Sequence, residues 1–193
     1  MFQRLIDNWV YGGFLAGLML LALVPIISSG WPWALTAVFL TVPIYMLHQY
    51  EEHDADRFRA KINEMIGRGR DVLPVSAVFV INVPLAWGLN ALAFGLAATA
   101  GIGWGLMALY LMLANGVVHI VQAVVTRGYN PGLVTSIVLF LPLGVLGSWA
   151  VNGTGAVTLT QQIVAIAIAI LIHVAILAYV LGNVRRLSAK QVA

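Results

Sequence analysis

Six long apolar stretches separated by short polar ones set the pattern of this chain. Residues 9–29, 33–50, 72–98, 104–125, 132–151 and 159–181 contain no Asp, Glu, Lys or Arg. A helix rises about 1.5 Å per residue, so a run of roughly 20 apolar residues crosses the hydrocarbon core of a bilayer. Each stretch therefore predicts a membrane-spanning helix, and together they predict an all-α integral membrane bundle of six transmembrane helices, one domain over residues 1–193. Turn residues punctuate the spans: Trp31-Pro32-Trp33, Gly67 to Arg70, Ala100-Gly101-Ile102-Gly103, Tyr129-Asn130-Pro131-Gly132 and Asn152-Gly153-Thr154. The first stretch exceeds the roughly 7 to 15 apolar residues of a signal peptide. With Asp7, Trp9 and Tyr11 at its edge as interfacial anchors, it reads as a retained span.

One segment follows a different rule. From His53 to Ile66 there is no Gly or Pro, and Phe58, Ile62, Met65 and Ile66 recur at helical spacing, with Asp54, Arg57, Lys61 and Glu64 on the other side. The second helix is thus expected to continue past the membrane as an amphipathic cytoplasmic segment. Counted in 100° steps, Phe58, Ile62 and Ile66 share a side with His48 and Glu51. The segment serves either as a collar over that end of the bundle or as a helix resting on the headgroups.

Composition sharpens this picture. The chain of 193 residues is 61% hydrophobic and 9% charged, against about a quarter charged in a soluble domain. Its charges are confined to residues 1–7, 51–71, Arg127 and 185–190. With six spans and the N-terminus inside, all ten Lys and Arg residues fall on one side, which the positive-inside rule identifies as cytoplasmic. Both termini are then cytoplasmic, in a multi-pass protein of the inner membrane if the source is bacterial. The net charge of +3 is accounted for by these loops, so no nucleic acid is implied as a partner. The absence of cysteine excludes disulfides, thiolate catalysis and sulfur-bound metals. Any metal here is bound through nitrogen and oxygen.

Candidate chemistry concentrates at His48-Gln49-Tyr50-Glu51-Glu52, where the second apolar stretch meets the charged run. Residues at i+3 and i+4 neighbour residue i on a helix, so Glu51 and Glu52 flank His48 on one face. One imidazole and two carboxylates suit zinc, iron or manganese; alternatively, the acids pair with nearby arginines at an interfacial helix end. Asn115, His119, Gln122 and Thr126 step by four, three and four along the fourth span, a polar stripe that must face protein or water. His173 is the polar residue at the middle of the last span, and Asn82 lies at a similar depth on the third. Metal ligation is therefore assigned to His48, Glu51, Glu52, His119 and His173. Asn82, Asn115, Gln122 and Tyr129 are supporting contacts; His173, Asn82 and Asn115 also fit as hydrogen-bonded links between helices.

His48-Gln49-Tyr50-Glu51-Glu52, a later His119 and Tyr129-Asn130-Pro131-Gly132, read as Tyr-x-Pro-Gly, resemble the HXXEE family of small integral membrane proteins, over roughly residues 40–135. The resemblance implies a membrane-enzyme context and a residue set but supplies no substrate. A metal held by these residues, zinc in the first instance, would bring the pKa of a bound water toward about 7, with Glu51 or Glu52 as the catalytic carboxylate that carries the proton. A site at headgroup level points to membrane lipid or another amphiphile as partner and substrate, and thus to a hydrolase. A di-iron oxidoreductase with His53 or His173 added to the set, a proton or metal-ion carrier built on the same His and Glu residues, and a small structural membrane subunit are the alternatives. Nothing in the pattern sets an oligomeric state.

Overall fold

Among residues 2–190, which the computed structural model describes, every regular element is helical. In chain order they are α1 (Phe2–Ile27), α2 (Trp33–His53), α3 (Arg57–Met65), α4 (Val75–Thr99), α5 (Ile102–Thr126), α6 (Leu133–Gly153) and α7 (Leu159–Ala189). Five of them, α1, α4, α5, α6 and α7, are long and apolar enough to cross a membrane. This is a multi-pass membrane protein.

The 21-residue α2 is long enough but less apolar, and its position explains why. It packs against α1, α4, α5 and α6, and Ala37, Val38, Thr41, Tyr45, His48 and Gln49 are almost wholly buried. A helix enclosed by other helices is released from the need to face lipid, so it can carry polar side chains where they find partners. Small residues allow the close approach. A Cβ on Gly17 of α1 would lie 2.8 Å from a methyl of Leu47 and 3.0 Å from the Pro43 carbonyl of α2.

Two helices widen locally into π turns, Ile81–Trp87 of α4, which contains Pro84, and Ser136–Phe140 of α6, just before Pro142. A proline lacks the N–H that would continue the ladder, and the extra residue of a π turn shifts which side chains face inward. Asn82 and Ser136, one in each turn, are buried.

The expected continuation of α2 does not hold. The helix stops at His53, and Ala55 (φ 51°) and Asp56 (φ 60°) adopt the left-handed region before α3 begins. No glycine marks this break; tertiary contacts do. Asp54 accepts from the Tyr11 hydroxyl (3.2 Å) and the Arg57 guanidinium (3.2 Å), and Asp56 pairs with Arg59. The turn lays the apolar face of α3 across the end of the bundle, where Ile62 joins Val72, Leu73, Val78 and Val180, with Phe58 against their edge.

Side-chain ties place the polar segments at this same end. Lys61 Nζ donates to the Tyr129 carbonyl (2.7 Å) and Arg70 to Ser188 of α7 (2.6 Å). At the opposite end Trp31 packs on Phe94, and Tyr110 and Asn152 bond Gln162. Leu106, Met107, Ala108 and Leu109 of α5 join Ala165 of α7 in that half, whereas α7 near Val180 packs on α3 and α4 instead.

Candidate metal centre

At the α2 end the His48, Glu52 and His119 side chains converge. Each offers one ligating atom, and these atoms all lie within 4.8 Å of one another. Glu52 Oε2 is 3.5 Å from His48 Nε2, and Glu52 Oε1 is 3.5 Å from His119 Nε2. The exposures of His48, Glu52 and His119 are 0%, 6% and 3%, so water is largely excluded.

The surrounding hydrogen bonds fix the proton on each ring. Thr135 Oγ1 lies 2.5 Å from Glu51 Oε2 and 2.8 Å from His48 Nδ1. A hydroxyl has one proton and a carboxylate can only accept, so Thr135 donates to Glu51 and His48 Nδ1–H donates to Thr135. His119 is oriented in the same way by one residue of the α5–α6 loop. Asn130 Nδ2 donates to the His119 carbonyl (2.7 Å), which leaves Asn130 Oδ1 to accept from His119 Nδ1–H (2.6 Å). In their neutral form both rings therefore turn an unprotonated Nε2 toward Glu52. His48 Nε2 is buried without a hydrogen-bond partner. Two nitrogen lone pairs and a carboxylate facing one point make an arrangement that a cation stabilises.

No lysine or arginine relieves Glu52; its ionic neighbours among the described residues are histidines, the third being His53 Nε2 at 3.2 Å from Oε2. His53 is buried, tilted against Trp9 (5.2 Å) and edge-on to Phe58 (5.5 Å). Below the two rings lies Gly132 (φ 94°). A Cβ there would come within 2.6 Å of His119 Cε1 and 2.9 Å of His48 Cε1. The backbone at Gly132 thus cradles both imidazoles, and the Phe140 ring packs on His48 at a 30° tilt (4.0 Å).

Glu51 takes a different path from Glu52. Its carboxylate accepts from the Tyr129 hydroxyl (2.8 Å), the Val134 amide (3.1 Å), and the Thr135 amide (2.7 Å) and hydroxyl. Burial opposes a charge on this carboxyl, and the Thr135, Tyr129 and Val134 donors offset that cost. The Tyr129 hydroxyl is pushed up, by burial and by the carboxylate it donates to. Glu51 and Tyr129 therefore clamp α2 to the start of α6 and support His48 through Thr135.

The remaining predicted residues surround the centre. Asn82 accepts from Gln49 (2.8 Å), whose amide oxygen in turn accepts from the Trp87 indole. His173 donates from Nδ1 to the Ala169 carbonyl of its own helix (2.7 Å). Asn82, Asn115, Gln122 and His173 line a cavity of about 660 Å³ that ends at Glu52, His53 and His119. The polar stripe of α5 faces this cavity: Thr126 lines it as well. Two contributors went unread in the sequence. Thr135 and Asn130 each act only through a partner distant in the fold, and the nearest available signal was the position of Asn130 inside Tyr-x-Pro-Gly.

Neither curated proteins nor solved structures give a match. A family model, described as protein of unknown function with HXXEE motif, matches residues 39–150, from the middle of α2 almost to the end of α6. That match takes in both imidazoles, both carboxylates and the loop that orients them, and the chain belongs to the HXXEE family.

Proposed function

We propose that this chain is a membrane enzyme of six spans, with α2 as the sixth and the His48–Glu52 end in the cytoplasm, which binds one divalent ion and hydrolyses an amphiphilic substrate. The observation that carries this reading is the convergence of His48 Nε2, His119 Nε2 and the Glu52 carboxylate within 4.8 Å, with both rings in the tautomer that offers a lone pair. Two nitrogens and one oxygen suit zinc, and three protein ligands leave a position free for substrate or water. A divalent ion bound there would supply Lewis acidity, polarising water and a carbonyl or phosphoryl oxygen at neutral pH.

The chain's own residues would do the rest. The Glu52 oxygen not engaged in binding accepts a proton from the attacking water, whose oxygen bonds to the acyl or phosphoryl centre. The bond to the leaving group then breaks, and the same proton passes to the leaving oxygen or nitrogen. Thr135 and Asn130 hold the two rings in place, and Glu51 holds Thr135. The apolar cavity receives the tail of the substrate and excludes water.

The rival readings find less support. A di-iron bundle uses about four carboxylates and two histidines, whereas the close group here contains one carboxylate. A proton path across the bilayer would need acids further along, and no Asp or Glu follows Asp71. Purified protein, loaded with zinc and desalted, is expected to retain close to one ion per chain, with His48→Ala, His119→Ala and Glu52→Gln each losing it. Equal zinc in wild type and all three variants would sink the proposal.

A further inference from the structure

The cavity that ends at Glu52 is shaped for a particular kind of molecule. It is about 660 Å³, within the range of roughly 300 to 1,000 Å³ typical of ligand pockets. Its water-facing end is roofed by Phe58 and Ile62 of α3, and Lys61 ties that roof to the Tyr129 carbonyl (2.7 Å). Its outer flank is open. Val117 and Val121 of α5 and Val174 and Leu177 of α7 line it while remaining 50%, 54%, 55% and 53% exposed. The two helices meet around Ala108 and Ala165 and part toward the Glu52 end, where α7 turns to α3 and α4.

We propose that this crevice binds the single alkyl chain of an amphiphile with a neutral, hydrogen-bonding head, which enters sideways from the bilayer between α5 and α7. The chain lies along the exposed valines and the head reaches Glu52 and Asn115. Charge complementarity selects the head: no lysine or arginine lines the cavity, which leaves a phosphate without a fixed cation. Asn115 Oδ1 is buried at the head position without a partner, and a buried acceptor calls for a donor such as a hydroxyl or an amide N–H. A monoacyl ester of a polyol or an N-acyl amide meets these conditions, whereas a two-chain phospholipid has one chain too many for a single gap. This assignment names the substrate class for the hydrolysis proposed above and rests on that reading only for the chemical step after binding.

Binding is testable with the ion stripped away, so the two readings fail separately. Full-length protein in phosphatidylcholine nanodiscs, treated with chelator, is photolysed with a diazirine analogue of hexadecanol, and labelled positions are read by mass spectrometry. Labelling at residues 117, 121, 174 and 177 is expected to exceed that at Leu15 and Met19, on the exposed face of α1, by at least tenfold. Unlabelled monoacylglycerol should abolish the excess. Val121→Trp, which fills the gap from a position that contributes no ligating atom, should abolish it too while zinc retention stays at the wild-type level. Even labelling of α1 and the crevice would mean annular lipid only and would overturn the proposal, as would an excess that survives Val121→Trp in folded protein. The wild-type ratio decides the matter even if that variant fails to fold. Loss of zinc binding with the labelling excess intact would instead count against the metal centre alone.

Discussion

Gly132 carries a constraint that no other residue type can satisfy. Its φ of 94° lies in territory that costs an L-residue about 1 to 3 kcal/mol, and a Cβ would enter the space of both imidazoles, 2.6 Å from His119 Cε1. Gly132→Ala is therefore expected to lower thermal stability by about that amount and to weaken zinc binding by more than tenfold; wild-type zinc affinity would contradict the cradle. Thr135 offers a cleaner separation of packing from hydrogen bonding. Thr135→Val keeps the shape but loses the hydroxyl between His48 Nδ1 and Glu51, and outer contacts of this kind are worth about 10- to 100-fold in metal affinity. Thr135→Ser should recover most of that loss, and equal affinities for the Val and Ser variants would exclude the role. At this scale the sequence was informative where geometry is local. Four-residue spacing placed Glu52 against His48, and the stripe on α5 aimed His119 inward. The parting of Glu51 from Glu52 was not legible, because adjacent residues sit 100° apart on a helix and only the arrival of the Val134 and Thr135 amides decides which one turns away.

Elements repeat the lesson in another form. The apolar stretches gave α2, α4, α5 and α6 to within three residues at either end, since length and hydropathy are properties of one segment, whereas α1 begins seven residues earlier, at Phe2, and α7 runs eight residues further, to Ala189. The end of α2 was misplaced because Ala55 and Asp56 are left-handed without being Gly or Asn, so the break follows from contacts made by Asp54, Asp56 and Phe58. An alanine in that region costs about 1 to 2 kcal/mol. Ala55→Gly is expected to raise stability by up to about 1 kcal/mol, because glycine's added freedom in the unfolded chain offsets part of the relief. Ala55→Pro, locked near φ −65°, cannot make the turn and should free α3 from the bundle. Hydrogen exchange over residues 57–65 provides the measurement: faster exchange in the proline variant and unchanged or slower exchange in the glycine variant are expected, and unchanged exchange in both would show that the turn does not hold α3 in place.

Taken as a whole, the molecule has two unlike ends, and that difference predicts how it sits in a membrane. The polar ties among residues 54–71, the 127–132 loop and the C-terminal part of α7 gather at the Glu52 end, while the opposite end carries aromatic and amide contacts without a charge. Transferring ten Lys and Arg residues to the outer face would oppose the positive-inside rule at every loop. The chain contains no cysteine, so single cysteines can be introduced without background. Ser29→Cys, Ala100→Cys and Gly153→Cys stand at exposed positions on the uncharged end, and Ala60→Cys and Ala189→Cys at exposed positions on the charged end. In intact cells a membrane-impermeant maleimide should label the first three, and the last two should react only after permeabilisation. The α2 helix makes this pattern a test of span number as well as of side. If α2 crosses, Ser29 and Ala60 are on opposite faces; if it is held within the bundle without crossing, they share one. Labelling of Ala60→Cys from outside together with Ser29→Cys would reduce the spans to five and put the metal centre on the outer face.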